Sequence, residues 1–269
     1  MTASWTDRIL EYCQEYKIPV EYLANTLCEP KVVPMIRGKA FEYSVIQRLQ
    51  AILPPNEWIV NKVTAGEEAF YHDTDVRVFH KRTGRTLRLE CKLAKKEGYR
   101  QFPDGHSEIR VKCMRSRTLG DAKVKELAPK LGIEQKALAA HRDQYVAADF
   151  DVVVTSIGNA FYRTDSTSHL YVWKPKKVEQ EFLAKLGSMI PDSQKDFAFN
   201  RMFVAKTKDL IVNPSTGVVC TKKVCSNKFN CGFIPNYPII KFEPASIEPT
   251  SPWVSIDKSQ TFFRSIVLA

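Results

Sequence analysis

The chain has 269 residues, 44% hydrophobic and 26% charged, which is enough apolar content for a large core in one or two domains. No apolar run approaches the roughly 18 residues of a membrane span, and the mixed N-terminus lacks the order of a signal peptide, so membrane and secreted classes are not expected. Seven scattered cysteines predict a reducing compartment, and forty basic against thirty acidic residues give a net charge of +10. We expect a soluble cytoplasmic protein.

The first third of the chain is predicted to be helical. Ser4 with Asp7 three residues later is typical of a capping box that begins a helix. A short second helix is predicted over 19–28. A third begins near Pro34, a residue favoured at the first helical position, and ends before Pro54.

A β-hairpin is predicted next. A short alternating run opens at Asp75, a turn-like segment covers 81–85, and a second alternating run covers 86–94. Side chains of the second run alternate between an apolar face of Leu87, Leu89, Cys91 and Leu93 and a polar face of Thr86, Arg88, Glu90 and Lys92. The hairpin would bring Asp75 near Glu90 and Lys92.

The remainder of the chain mixes strands and helices. Strands are predicted at 58–63, 106–114, 149–157 and 169–173, and helices at 121–147, with a break near 129–132, and at 178–190. From about 195 prolines break the chain into short extended pieces. The pattern predicts an α/β fold with a mixed central sheet flanked by helices. A core over 1–194 would carry an irregular β-rich extension over 195–269 in one compact unit.

The positive charge is concentrated around the hairpin. Residues 77–130 contain sixteen Lys or Arg and six Asp or Glu, an excess equal to the whole net charge. A positive field there predicts a polyanionic partner. The alternative is an ordinary solvated surface.

Glu-x-Lys by itself is a weak signal, because the chain contains it at 15–17, 29–31, 90–92 and 134–136. Only the copy at 90–92 lies on a predicted strand with an aspartate at hairpin distance. Two carboxylates and a lysine on adjacent strands suit a metal-dependent phosphodiesterase. The structural alternative is a cross-strand salt bridge from Asp75 to Lys92 or Arg88, worth about 0.2–1 kcal/mol.

Glu42 lies on a largely apolar face of the third predicted helix, in line with Ile46 and Leu49. Burial of a carboxylate there is costly unless a cation or hydrogen bonds meet it. Arg37 or Lys39 is the ordinary solution. A metal ion shared with the hairpin acids is the alternative.

Taken together, Arg37-Gly38-Lys39-x-x-Glu42, Asp75 and Glu90-Cys91-Lys92 resemble the core motif of the PD-(D/E)XK nuclease superfamily, over about residues 34–160. That motif has an acid at a strand start, an acid-x-Lys on the next strand and often a glutamate on the preceding helix.

Two departures from the family pattern stand out. Thr74 replaces the proline before Asp75, and the Gln-x-x-x-Tyr motif of the RecB-like branch is missing, since Tyr145 follows Gln144 directly. The second departure favours the restriction-enzyme side of the superfamily. Asp73 is an alternative to Asp75, which is preferred because it adjoins the alternating run.

The resemblance implies a restriction-endonuclease-like core that uses Mg²⁺, with Mn²⁺ as a substitute. Asp75 and Glu90 would hold the ion with the backbone carbonyl of Cys91, whose side chain is assigned to the core. Lys92 would orient the attacking water or stabilise the developing charge, and Glu42 would bind a second ion or position water. Cleavage would leave 5′-phosphates.

The leading hypothesis is a type II restriction endonuclease that cuts double-stranded DNA at a specific sequence. It implies a prokaryotic or viral origin, a homodimer on a palindromic site and a cognate DNA methyltransferase. The alternatives are a structure-specific or repair nuclease of the same superfamily, or a non-catalytic DNA-binding protein. No Gly-rich phosphate loop is present, so ATP is not expected.

Eight basic residues are candidates for DNA contacts: Lys95, Lys96, Arg110, Lys112, Arg115, Arg117, Lys222 and Lys223. Most would neutralise phosphates, and some arginines would read guanine. Cys220, Cys225 and Cys231 lack a tight Cys-x-x-Cys, and no histidine follows His169, so a structural zinc, which normally takes four ligands, is not expected.

Overall fold

The computed structural model describes residues 4–63, 74–188, 190 and 193–269. The helices of this part are α1 (Trp5–Glu15), α2 (Leu23–Cys28), α3 (Val32–Ile52), α4 (Asp121–Leu131), α5 (Gln135–Ala140), α6 (Lys177–Lys185), α7 (Gln194–Asn200) and α8 (Ser259–Val267). The strands are β1 (Trp58–Lys62), β2 (Val76–His80), β3 (Arg85–Gln101), β4 (Ser107–Val111), β5 (Val152–Ser156), β6 (Tyr162–Thr164), β7 (Tyr171–Trp173), β8 (Met202–Lys206), β9 (Ile239–Phe242) and β10 (Val254–Ser255).

The predicted N-terminal helices are confirmed. The backbone N–H of Asp7 donates to Ser4 Oγ (3.2 Å) and that of Ser4 donates to Asp7 Oδ2 (3.0 Å), which is the capping box at the start of α1. The second predicted helix is a 3₁₀ turn followed by α2. Helix α3 begins two residues before Pro34 and ends before Pro54.

The protein is α/β, with a mixed, curled central sheet flanked by helices. Its strands lie in the order β1-β2-β3-β5-β8-β10, and β4 and β9 continue the sheet from the far half of β3. Strand β3 is antiparallel to β2 and parallel to β5. The predicted hairpin is therefore confirmed, and its second strand is much longer than the alternating run that predicted it.

Each face of the sheet has its own apolar core. On one face, Phe41, Val45 and Leu49 of α3 pack in one cluster with Leu87 and Leu89 of β3. The opposite face is covered by a second cluster built around β5 and α6. Burying each such side chain contributes roughly 1.5–3 kcal/mol, which fixes α3 against the hairpin.

Two predicted elements end early. The helix predicted over 121–147 stops at Ala140, since the segment after it is tied by side chains instead of helical bonds: Gln144 donates to the carbonyl of Ile234 (2.8 Å), and Asp149 accepts from the backbone N–H of Val146 (2.8 Å). The helix predicted to reach 190 ends at Lys185, shortly before Gly187 with its φ of +123°.

The C-terminal extension contributes to the central sheet. Strand β8 pairs antiparallel with β5, and β10 pairs with β8. Helix α8, which the proline-rich pattern did not predict, packs in the same apolar cluster as α3. Residues after 195 therefore complete the sheet on which the hairpin stands.

None of the helices in the described part of the chain combines the length and apolarity that a bilayer crossing needs.

Candidate active site

The hairpin register places Asp75 against β3. Val76 pairs with Leu89, and the backbone N–H of Asp75 donates to the Leu89 carbonyl (3.2 Å). The Asp75 side chain turns back onto the same strand, where Oδ2 accepts from the backbone N–H of Cys91 (2.9 Å). The carboxylate is therefore held beside the Glu90–Lys92 segment, as the sequence predicts. Asp73, the alternative to Asp75, lies outside the described residues.

Glu90 and Lys92 form a buried ion pair on the polar face of β3. The Lys92 amine lies 2.5 Å from Glu90 Oε1, and Glu90 is only 2% exposed. The Tyr145 hydroxyl donates to the same carboxylate oxygen (3.1 Å). A buried carboxylate with both a charged and a neutral donor keeps a fixed orientation.

Glu42 is buried on α3 and is met by two lysines. Lys39 Nζ lies 2.7 Å from Glu42 Oε1, and Lys62 of β1 pairs with Oε2. Lys39 also lies 4.0 Å from Asp75 Oδ1, so it links the helix acid to the hairpin acid. The predicted ordinary solution for Glu42 is thus confirmed for Lys39, while the Arg37 guanidinium stacks on Tyr162 (3.8 Å to the ring centroid).

The charges of the cluster shift two pKa values. Burial, together with the nearby Glu90 and Glu42 carboxylates, raises the pKa of Asp75 to about 7. Burial disfavours the Lys92 ammonium, but the Glu90 carboxylate outweighs it, so the pKa of Lys92 lies well above its usual value. At neutral pH Lys92 is a fixed cation, whereas Asp75 is only partly ionised unless a further positive charge arrives.

The donor set fits a hard divalent cation at the hairpin. Mg²⁺ prefers carboxylate oxygens, keeps several waters and is commonly held by one or two carboxylates. Asp75 and Glu90 supply two. The Lys39 amine lies 4.0 Å from Asp75 Oδ1, farther than the Lys92 amine lies from Glu90. Within the described part of the chain, Glu42, Asp75 and Glu90 are not a group whose ligand atoms all lie within 4.8 Å of one another. The fit is therefore to two carboxylates, with Glu42 held apart by its lysines.

No protein-family model, curated protein or solved structure matches this chain.

Cys91 lies in the core, as predicted. Its side chain packs in the apolar cluster between α3 and the sheet. Burial is the largest cause that raises the pKa of the thiol well above its usual value, and the nearby carboxylates add to it. The thiol therefore stays neutral at physiological pH.

Lys95 and Lys96 lie in a β-bulge next to the cluster. Pairing of β3 with β4 shifts register between Ala94 and Tyr99, and a Cβ at Gly98 would come within 2.5 Å of the Lys95 carbonyl oxygen. Only glycine fits this backbone without a shift. Bulges beside a site redirect side chains, and here two lysines follow Lys92 closely.

Arg115 is not at the surface. It is 8% exposed, its guanidinium lies 2.6 Å from Asp149 Oδ2, and Nε donates to the Gln144 carbonyl (2.9 Å). Burial and these two bonds leave the guanidinium poorly placed to meet a phosphate. We therefore no longer assign Arg115 to DNA contact, which the sequence pattern had suggested because its neighbours are basic.

The other basic candidates differ in exposure. Lys112, Arg117 and Lys223 are exposed, whereas Arg110 is half-buried on β4. Lys222 is half-buried and pairs with Asp143. The exposed three remain the better candidates for phosphate contacts.

A separate cluster of ligand-type side chains joins the end of α5 to the segment after β8. His141, Cys220, Cys225 and Cys231 have ligand atoms that all lie within 4.8 Å of one another. The structure supplies the fourth ligand-type side chain that the sequence did not make obvious: His141 lies 79 residues before Cys220.

Sequence reasoning missed Tyr145 and Lys62 as neighbours of the site. In the sequence, Tyr145 stands out only because it follows Gln144 directly. Nothing in its local sequence points to Glu90, which is 55 residues away. Lys62 lies on β1, and its contact with Glu42 exists only because α3 packs across that strand. Both residues are brought to the site by tertiary packing.

Proposed function

We propose that the protein is a Mg²⁺-dependent endonuclease that hydrolyses phosphodiester bonds in double-stranded DNA. The observation that carries the proposal is the meeting of Asp75, Glu90 and Lys92 in one cluster, with the Asp75 carboxylate bonded to the residue between the other two. Lys39, whose side chain is 70% exposed, lies at the solvent side of this cluster. Because Lys39 is also 4.0 Å from Asp75 Oδ1, it would meet a phosphate that approached Asp75 from solvent.

The residues divide the chemistry among them. Asp75 and Glu90 would hold the cation, with the Cys91 carbonyl as a third oxygen. When bound, Mg²⁺ would lower the pKa of a coordinated water and neutralise negative charge on the phosphate. Lys92, permanently charged, would donate to the attacking water or to a phosphate oxygen whose negative charge grows. Tyr145 keeps Glu90 oriented, and Glu42 with its two lysines would place water or a second ion.

The positive segment 77–130 and the two lysines of the bulge support a polyanionic substrate. Lysines on this surface would neutralise backbone phosphates and hold the strand over the acids without reading its sequence. Site-specific cutting as a type II restriction endonuclease, a restriction-endonuclease-like core and a homodimer are proposed from the motif resemblance alone.

A non-catalytic DNA-binding protein is the second candidate, favoured by one observation. Glu42 and Glu90 both already have lysine partners, which is what a purely structural ion-pair network requires. The two candidates differ in metal dependence, because only the nuclease breaks DNA when Mg²⁺ is added.

Digestion of unmodified phage DNA with Mg²⁺ tests the proposal. Discrete fragments whose ends share a sequence and carry 5′-phosphates are the expected result. Smears, or cuts only at branches and ends, would support a structure-specific or repair nuclease instead. Intact DNA with both Mg²⁺ and Mn²⁺, on linear, supercoiled and branched substrates that the protein binds, contradicts nuclease function.

A further inference from the structure

The side chains of His141, Cys220, Cys225 and Cys231 have the spacing of a tetrahedral metal centre. His141 Nε2 lies 3.6 Å from Cys220 Sγ. With Zn–S near 2.3 Å and Zn–N near 2.0–2.1 Å, a tetrahedral site has an N···S edge of about 3.5–3.6 Å. The observed separation is therefore the one that a single shared ion would impose.

The histidine is already oriented as a ligand. Its Nδ1–H donates to the carbonyl of Ala137 in α5 (2.8 Å), which leaves the unprotonated Nε2 facing the thiols. The ring stacks on Phe233 with centroids 4.3 Å apart and planes 7° apart. A backbone acceptor on the second nitrogen and a packed ring are the usual support of a metal-bound histidine.

The cysteines lie in a segment that regular structure does not hold. Residues 210–238, between the turn after β8 and the start of β9, contain no helix or strand in the structure, and Cys220 and Cys225 are nevertheless buried. Loops this long are uncommon in compact domains unless they are functional or pinned. The apolar cluster around these thiols contains few buried residues, chiefly Val212. Apolar packing therefore contributes little to holding this loop.

We propose that these four side chains bind one Zn²⁺ as a structural site. Three thiolates and an imidazole fill all four tetrahedral positions, which is the closed donor set of structural zinc and leaves no position for a substrate. Binding releases the thiol protons and ties α5 to the 210–238 loop. The soft sulfur ligands select zinc over the Mg²⁺ that carboxylates prefer.

The zinc site would also support the orientation of Glu90. The backbone N–H of Ile234 donates to the Tyr145 carbonyl (2.8 Å), and Asn236 donates to Asp143 (2.8 Å). The loop is thereby bonded to the segment whose Tyr145 hydroxyl donates to Glu90. The ion itself takes no part in hydrolysis, and the proposal stands whether or not the protein cuts DNA.

Metal analysis of the purified protein tests the site. The full chain is expressed with added zinc, purified under reducing conditions without chelator, and measured by plasma mass spectrometry. About one zinc per chain is expected for the wild type and for Cys28→Ser, an exposed cysteine outside the cluster. Cys225→Ser and Cys231→Ser should each retain at least tenfold less zinc after dialysis.

A second measurement does not depend on a variant folding. Wild-type protein stripped of metal under reducing conditions is titrated with Co²⁺, which should give thiolate charge-transfer and tetrahedral d–d absorption that saturate at one equivalent and are displaced by Zn²⁺. Folded wild-type protein that is purified without zinc and gives no such spectrum overturns the proposal. So does a Cys–Cys disulfide in the cluster that persists when the protein is prepared with reductant.

Discussion

The two clusters of ligand-type side chains differ in what holds them. The carboxylate–lysine cluster stands on a hairpin and a helix, so its spacing is set by strand alternation and by helix-on-sheet packing. The His–Cys cluster lies at the end of a short helix and on an irregular loop. No strand pairing or helix packing sets the 3.6 Å distance between His141 Nε2 and Cys220 Sγ. One site is held by the fold, and the other, we propose, helps to hold the fold. Changes in the first should be the ones that alter DNA cleavage, and changes in the second should act on stability and leave the chemical groups in place.

The largest effect is expected from Lys92→Met. It removes a lysine that is ion-paired with the buried Glu90 and that would face the phosphate, so cleavage of plasmid DNA by the folded variant should fall by at least about 10³-fold. Lys136→Met is the matched control, since Lys136 is the exposed lysine of another Glu-x-Lys copy. Gel assays with Mg²⁺ measure both rates, and filter binding measures DNA affinity, which should change little. Equal loss in the two variants would remove the chemical role of Lys92.

Arg115→Met should affect stability strongly, in contrast to its neighbour Arg117→Met. Removing one partner of a buried ion pair leaves the Asp149 charge uncompensated and costs about 3–5 kcal/mol. Arg117 is exposed, so its replacement should leave the free energy of unfolding within about 0.5 kcal/mol. Urea denaturation compares the two. Indistinguishable midpoints would mean that Arg115 is not buried and paired as described.

Asp75→Asn should change how stability depends on pH. The pKa of Asp75 is about 7 in the folded protein and near 4 when unfolded, so the folded state binds more protons between these values. Wild-type stability without divalent ions should therefore fall as pH rises through that window, by about 1–3 kcal/mol. Asparagine keeps an acceptor for the Cys91 N–H and removes this fall. Denaturation at pH 5 and pH 8 measures it; parallel pH profiles for both proteins would argue against a raised pKa.

The smallest effect is expected from Lys112→Ala. Loss of one exposed phosphate contact should weaken DNA binding about equally for all sequences and reduce the slope of log K against log salt by about 1. Fluorescence anisotropy over a salt series gives the slope. Lys222→Ala is the comparison, since its amine is engaged by Asp143 and its slope should match the wild type. A reduced salt slope for the Lys222 variant and an unchanged slope for the Lys112 variant would place the DNA-binding surface at the 210–238 loop.

The same contrast governs what could be predicted from sequence. Strand alternation predicts the hairpin, and antiparallel pairing brings the residue at the start of the first strand beside the end of the second run. The proximity of Asp75 to Glu90 and Lys92 therefore follows from local rules. Helix periodicity likewise predicts that Glu42 is buried. The length of β3 could not be predicted, because its bulge depends on the close approach of the Gly98 backbone to the carbonyls of Lys95 and of Arg110 on β4.

Contacts between segments that are far apart in the sequence could not be predicted. His141 and Cys220 are separated by 79 residues, and neither has a local pattern that names the other as a partner. The prediction that Arg115 lies at the surface is wrong for a related reason. Its basic neighbours suggest a surface row, but its buried partner, Asp149, comes 34 residues later in the chain. Pairing at such distances is decided by the packing of the 141–149 segment, which local propensity predicted as helix.

Mn²⁺ binding at the hairpin tests the central claim most directly, because Mn²⁺ can replace Mg²⁺ and its paramagnetic resonance signal reports the free ion. Zinc-loaded wild-type protein and Asp75→Asn are titrated in parallel, with Glu134→Gln as the control acid from another Glu-x-Lys copy. We predict that the control binds like the wild type and that Asp75→Asn weakens Mn²⁺ by at least about tenfold. Equal Mn²⁺ affinity in all three proteins would contradict a divalent-ion site built on Asp75 and Glu90.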